Sequence, residues 1–162
     1  MRHLTICFLF IALLPFGACK RGGIIDGGSE SVQFQYINDT DYDCLIEWKL
    51  YGEDTFENVH IASSEQYVQI LPSMSTSDRM DDGRTCLAVA NEIRFSFEGG
   101  ADKTEYVVTY EGGITISSTD CFWSRLPHYK HESLHNPPEV FTSIRTSYLS
   151  DVLSLARESS AL

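Results

Sequence analysis

From Val32 onward the chain alternates apolar and polar residues with a period of two, and this pattern limits its fold more than any other feature. Val32, Phe34 and Tyr36 alternate with Gln33 and Gln35. After the turn-forming run Asn38-Asp39-Thr40-Asp41, Cys44, Ile46, Trp48 and Leu50 share one face, with Glu47, Lys49 and Tyr51 on the other. Such alternation marks strands buried on one side. Val59 and Ile61, then Val68 and Ile70, predict two short strands around Ser63-Ser64-Glu65, closed by Leu71-Pro72. A polar loop covers Ser73 to Arg84, and Cys86 to Ala90 reads as a short apolar strand or turn. Ile93, Phe95 and Phe97, then Tyr106, Val108 and Tyr110, then Ile114 and Ile116 form a meander with turns at Gly99-Gly100 and Glu111-Gly112-Gly113. About eight strands with turn signals roughly every 8–12 residues suit a sandwich or small barrel. No crossover helices separate the strands, so a parallel βαβ fold is excluded, and there is no internal repeat.

The end of the chain changes period. Ile144, Tyr148, Leu149, Val152, Leu153 and Ala156 recur at three- and four-residue steps, predicting an amphipathic helix within 142–162, capped by Thr142 or Ser143. Its stripe is expected to pack on the sandwich, in preference to docking a partner. A His- and Pro-rich loop is expected over 127–141. Phe122, Trp123 and Tyr129 are expected to close the core and not to form an exposed platform for sugars. The composition is 43% apolar and 12% aromatic over 162 residues, enough for one packed core. Acidic residues number 23 against 12 Lys plus Arg, a net charge of −11 that argues against a nucleic-acid partner. The expected architecture is all-β: an immunoglobulin-like antiparallel β-sandwich over 32–126 followed by the C-terminal amphipathic helix.

The N-terminus is an address. Met1-Arg2-His3 is followed by the apolar run Leu4 to Leu14, too short to span a bilayer, which needs about 20 apolar residues. It reads as a secretory signal over 1–18. Phe16-Gly17-Ala18-Cys19 resembles a bacterial lipobox, with Phe16 where Leu usually stands. That resemblance implies that Cys19 is acylated, becomes the new N-terminus and holds the protein to a membrane by lipid. Several acyl chains anchor stably where one does not. Residues 19–31 read as the lipidated Cys and a linker with four glycines. Removal of Arg2 with the signal leaves 11 basic against 23 acidic residues, a net charge of −12. Such a surface stays off anionic headgroups.

Several motifs bear on chemistry. His131-Glu132-Ser133-Leu134-His135 is a literal H-E-x-x-H and resembles the zincin metallopeptidases. On a helix that resemblance implies a zinc ion on His131 and His135, with Glu132 polarising its water. Pro127 upstream and Asn136-Pro137-Pro138 downstream leave such a helix about two turns. Pro138 and Phe141 stand where the extended motif has Gly and His, and neither Glu139 nor Glu158 is well placed as a third ligand. His128 extends the set to a three-His alternative of His128, His131 and His135. The preferred reading is a solvated loop without metal or other cofactor. Asp39, Asp41 and Asp43 open like an EF-hand loop, but Cys44 replaces its Gly and Leu50 its bidentate Glu, so an Asx turn is expected. Of five cysteines, Cys7 leaves with the signal and Cys19 takes lipid. Cys86 and Cys121 are the preferred disulfide, with Cys44 a buried free thiol. No sequence signature supports a Cys nucleophile, and no P-loop, dinucleotide Gly motif or nucleophile elbow is present.

The layout of lipobox, Gly-rich linker and acidic sandwich is similar to that of small Bacteroidetes-type lipoproteins. The similarity implies an outer-membrane lipoprotein facing the periplasm or the cell surface and implies no particular activity. The expected function is a non-enzymatic binding or accessory module for a protein or glycan, without a catalytic residue. The alternatives are a zinc metallopeptidase using His131, Glu132 and His135, and a structural envelope or fibre subunit.

Overall fold

The computed structural model describes residues 31–72, 83–112, 122–136 and 140–161. The signal, Cys19, the linker, Cys121 and the strand expected at Ile114 and Ile116 lie outside the described residues. Among the described residues eight strands and one α-helix are formed: β1 Ser31–Ile37, β2 Asp43–Lys49, β3 Glu57–Ile61, β4 Gln66–Pro72, β5 Glu92–Glu98, β6 Tyr106–Glu111, β7 Lys130–Asn136, β8 Val140–Tyr148 and α1 Leu149–Ser160. They make two four-stranded sheets, ordered β4-β1-β8-β7 and β3-β2-β5-β6. The chain is mostly β and sandwich-like, as the alternation predicted.

Not every neighbour is antiparallel, which corrects the expectation. β8 runs parallel to β1, with Ser31 beside Thr142 and Ile37 beside Tyr148. A parallel pair needs a long connection. Here the whole intervening chain supplies it, because β4 already holds the other edge of β1.

The core lies between the sheets. Phe34 and Tyr36 of β1 bury opposite Cys44, Ile46 and Trp48 of β2, Ile61 of β3, and Ile93, Phe95 and Phe97 of β5. The segment expected as a strand or turn at Cys86–Ala90 is a 3-10 turn at Leu87–Val89. A buried glutamine pins it: Gln69 Oε1 accepts from Leu87 N at 2.8 Å and Nε2 donates to the Thr85 carbonyl at 3.3 Å. The Trp48 indole donates to that same carbonyl at 3.2 Å.

Trp123 is 1% exposed and stops the open side of the sandwich. Its ring meets Tyr36 at 4.6 Å, Phe122 at 5.3 Å and Phe95 at 5.5 Å between centroids. The aromatic cluster therefore closes the core. The helix packs along β6 and buries Leu149, Val152, Leu153 and Ala156, so its stripe is satisfied within the chain.

Two boundaries differ from the sequence reading. The expected 127–141 loop contains β7, and residues 142–148 belong to β8, so the helix starts at Leu149 and neither Thr142 nor Ser143 caps it. The inward side chains of β8 are Ser143, Arg145 and Ser147, all buried, while Ile144 and Tyr148 lie on the outer face. Its two-residue pattern is inverted, and the outward apolar pair falls at helical spacing.

Removing the Trp123 ring leaves a cavity that rigid sheets cannot fill. Trp123→Ala is expected to lower stability by about 3–5 kcal/mol, read from the urea midpoint at unchanged slope.

Candidate functional site

Strand register sorts the loops into two poles. At one, β1 begins at Ser31 beside the end of β4. At the other, Ile37 stands beside Gln66 and Tyr148, and Lys130 beside Thr146. In the second sheet that same pole holds Asp43 beside Glu98, Cys44 beside Ile61 and Phe97 beside Tyr106. Residues 38–42, 62–65, 99–105 and 127–129 therefore gather with the start of α1, far from the chain's point of arrival.

Asn38 organises these loops. It is fully buried, and Nδ2 donates to the carbonyls of Tyr42 at 2.7 Å and Ile61 at 2.9 Å. Its Oδ1 accepts from Thr40 N at 3.2 Å and Thr40 Oγ1 at 2.7 Å, an Asx turn of the kind expected. Its backbone completes the join: N donates to the Glu65 carbonyl, and the Asn38 carbonyl accepts from Ser64 N, both at 2.9 Å. The three aspartates of D-x-D-x-D diverge. Asp43 Oδ1 accepts from Ser63 N at 2.9 Å, Asp41 is exposed, and Asp39 turns to the helix.

Asp39 is a remote helix cap. Its Oδ1 accepts from Ser150 N at 2.9 Å and its Oδ2 from Ser150 Oγ at 2.7 Å. The residue at the local cap position, Tyr148, makes no side-chain cap bond. A carboxylate satisfying an orphan N–H at the positive end of a helix does the work of a local Ser or Asp. Next in the helix, buried Asp151 reaches back to His128. Oδ2 accepts His128 N at 2.9 Å, and Oδ1 lies 2.6 Å from Nδ1. An ionised carboxylate only accepts, so Nδ1 donates to Asp151 and Nε2 is the ring nitrogen left to meet a ligand. The His128 side chain is 73% exposed against 6% for Asp151, so a rigid base presents an open imidazole.

A cavity of about 230 Å³ sits here, lined by Asp39, His128, Lys130, Tyr148 and Ser150. Lys130 Nζ lies 5.3 Å from the centre of the Tyr148 ring. The cavity offers an imidazole nitrogen, an ammonium donor, a carboxylate and an aromatic ring. It is smaller than the roughly 300–1,000 Å³ usual for a whole small ligand, so it fits one polar unit of a longer molecule. At the same pole a second cluster is structural. Tyr106 Oη donates to Asp102 Oδ2 at 2.9 Å, and Arg157 Nη2 donates to Tyr42 Oη at 3.3 Å while lying over both tyrosine rings. Hydrogen bonding from Tyr42 holds the Asp102 carboxyl below its ordinary range, and Asp102 raises the Tyr42 phenol. A Cβ on Gly100 would fall inside the Tyr42 ring, so that approach requires glycine.

A larger hollow of about 450 Å³ lies on the outer face of the second sheet, lined by Glu47, Phe56, Glu92, Arg94, Val107, Thr109 and Glu111. Lys49 neutralises Glu92 at 2.8 Å, and Arg94 stands 3.9 Å from Glu47. Volume favours this hollow, but its charges largely answer one another. The smaller cavity has the convergent unlike groups that recognition needs.

The H-E-x-x-H segment is not helical. It lies in β7, where His131 and His135 are four residues apart, about 13 Å along a strand, and Glu132 lies on the opposite face. His131 Nε2 instead meets Ser143 Oγ at 2.7 Å, and His128 is held by Asp151. β7 therefore does not give the helical stacking of positions 131 and 135 that the zincin arrangement needs, and His128 precedes the strand. Among the described residues no three His, Cys, Asp or Glu side chains are grouped to hold a metal ion. Cys44 is buried and free, and burial pushes its thiol up to about 12. Cys86 is also buried, while its expected partner Cys121 lies outside the described residues.

The sequence does not single out Lys130, Ser150 or Asp151, and it places Tyr148 only in the helical stripe. It marks Asn38 and Asp39 for an Asx turn and Asp39 also for a calcium-like run, but not for the roles they take here. The bond between Asp39 and Ser150 spans 111 residues, and no local pattern signals it. No protein-family model matches the chain, and no curated protein matches it.

Two measurements test this geometry. Asp39→Ala is expected to cost about 1 kcal/mol, and a double-mutant cycle with Ser150→Ala should show the two losses to be non-additive. Unfolding frees the Cys44 thiol to ionise near its ordinary 9.0, whereas the folded chain resists to about 12. Its stabilising contribution is whole below pH 9 and falls as pH rises from there towards 12. Cys44→Ala should flatten that alkaline loss in a pH series of denaturant melts.

Proposed function

We propose that this chain is a lipid-anchored, non-enzymatic binding module of a bacterial cell envelope, which receives a hydroxyl-rich ligand unit, such as the end of a glycan, at the Asp39–His128–Lys130 pole. One observation carries the reading: an open hollow on which unlike polar groups converge stands at the pole opposite Ser31, where the chain arrives from Cys19. A tether at one end of seven-residue strands leaves the other end about 20 Å further from the anchor. Asp39 can accept from sugar hydroxyls, His128 Nε2 can pair with a hydroxyl, which both donates and accepts, Lys130 can donate, and Tyr148 supplies an apolar ring face. The fixed loops favour this use, because ligand binding need not order them. Among the described residues no helix is long and apolar enough to cross a membrane. Attachment is assigned, on the sequence resemblance alone, to the lipobox-like Phe16-Gly17-Ala18-Cys19, at an outer membrane and facing the periplasm or the surface.

The connectivity of β1 to β6 supports the immunoglobulin-like reading. Taken in order they follow strands B, C, C′, E, F and G of that fold: β1 pairs with β4, and β3-β2-β5-β6 is the C′CFG sheet. β8 takes the place of strand A but runs parallel to β1. In this correspondence residues 38–42 and 99–105 are the B–C and F–G loops, at the end of such sandwiches where binding loops cluster.

Two experiments test the proposal. The full chain expressed in a Gram-negative host is expected to incorporate labelled palmitate and to fractionate with membranes, and Cys19→Ala to release it. An uncleaved, unlabelled chain in the cytosol overturns the anchor. On an array of envelope and host glycans, His128→Ala and Lys130→Ala are expected each to weaken any bound glycan by tenfold or more. Glycan binding that survives both substitutions overturns the site.

A further inference from the structure

The outer face of the β4-β1-β8-β7 sheet is unusual for so acidic a chain. Its described side chains from β4, β1 and β8 are all uncharged. Two aligned rows cross its centre: Ile70, Gln33, Ile144 and Glu132, then Val68, Gln35, Thr146 and Lys130. Ile70 is 53% exposed, Val68 37% and, further along β7, Leu134 44%. Apolar side chains left in water on one face mark an interaction surface. They are branched aliphatics, which pack against another protein face, whereas sugars stack on aromatic rings.

We propose that a second copy of this chain docks on this face, sheet against sheet, about a two-fold axis lying across the strands. Chains of net charge −11 repel, and this face lets two approach without bringing carboxylates together. Each strand then lies over its own copy running the other way. With the axis between the two rows, Val68 faces Ile70 of the second copy, Gln35 faces Gln33, and Thr146 faces Ile144. Lys130 faces Glu132, and the symmetry makes that ion pair twice. The only two charges on the described face are thus of opposite sign and one row apart, as a self-complementary contact requires. Four strands of seven residues cover about 19 by 23 Å, or roughly 440 Å² in projection a side. That is the small end of specific interfaces, so the dimer is reversible. The face shares Lys130 and Tyr148 with the proposed ligand cavity, so the test turns on Ile70, which lies outside that cavity.

Sedimentation velocity of the full chain, in detergent where it is acylated, tests it. A concentration-dependent monomer–dimer equilibrium is expected. Ile70→Glu, at an exposed position, should raise the dissociation constant tenfold or more, and Val107→Glu on the other sheet's outer face should leave it unchanged. Glu132→Lys should weaken the dimer, and adding Lys130→Glu should restore it. A chain monomeric at every concentration overturns the proposal. So does a dimer indifferent to Ile70→Glu, or a monomer in which Ile70→Glu instead abolishes binding to a different protein or a polysaccharide.

Discussion

A single buried amide governs one end of this molecule. All the side-chain hydrogen-bonding capacity of Asn38 is used: two donors to carbonyls of two loops and two acceptances from Thr40. Leaving even one such buried group unpaired costs roughly 1–3 kcal/mol, so the loops gain little by moving singly. A fully satisfied polar network in a low-dielectric interior is rigid. Because Asn38 fixes the turn, Asp39 arrives at Ser150, and the helix start is held where Asp151 can orient His128. The cavity inherits its shape from a residue that does not line it.

The period-two signal carried as far as the residues obeyed the usual rule of apolar in and polar out. β1, β2, β5 and β6 obey it, and the short β3 and β4 follow it well enough to be seen. β8 breaks it. Ser143, Arg145 and Ser147 face inward, with Arg145 over the Phe34 ring at 5.8 Å, and Ile144 faces out. A reader of hydrophobic pattern sees Ile144 and Tyr148 four apart and infers a helix. β7 was hidden in the same way, because an exposed edge strand has no apolar face to announce it. The H-E-x-x-H match failed for a related reason: the spacing of two histidines has metal-binding meaning only on a helix, and period two sends His131 and Glu132 to opposite faces.

The candidate site was less legible than the fold. Asp39 and Ser150, and Gln35 and Thr146, are contacts between the two ends of the chain, and Asp151 reaches His128 across 23 residues. Short polar residues at loop tips have little sequence signature, since each is ordinary where it stands and acquires a role only from a distant partner. The aromatic cluster was readable because Trp123 has few stable places other than a core.

These long-range contacts also carry an entropic cost of closing the fold. β1 can pair with β4, and β2 with β3 and β5, using the first two thirds of the chain. The first sheet lacks its other half until β8 slots between β1 and β7, over a separation of more than a hundred residues, and closing so long a loop is entropically costly. The inward face of β8 contributes serines and an arginine, so its docking draws less on burial of oily surface than β2 or β5 does. It leans on hydrogen bonds such as Asp39 to Ser150 and on the apolar stripe of α1 that follows directly. The half of the molecule that carries His128 and Lys130 is therefore joined to the rest through contacts of long sequence separation. Asn38 and Asp39 tie the loops of β1, β2 and β3 to the start of α1, which keeps the site in shape while the fold is intact.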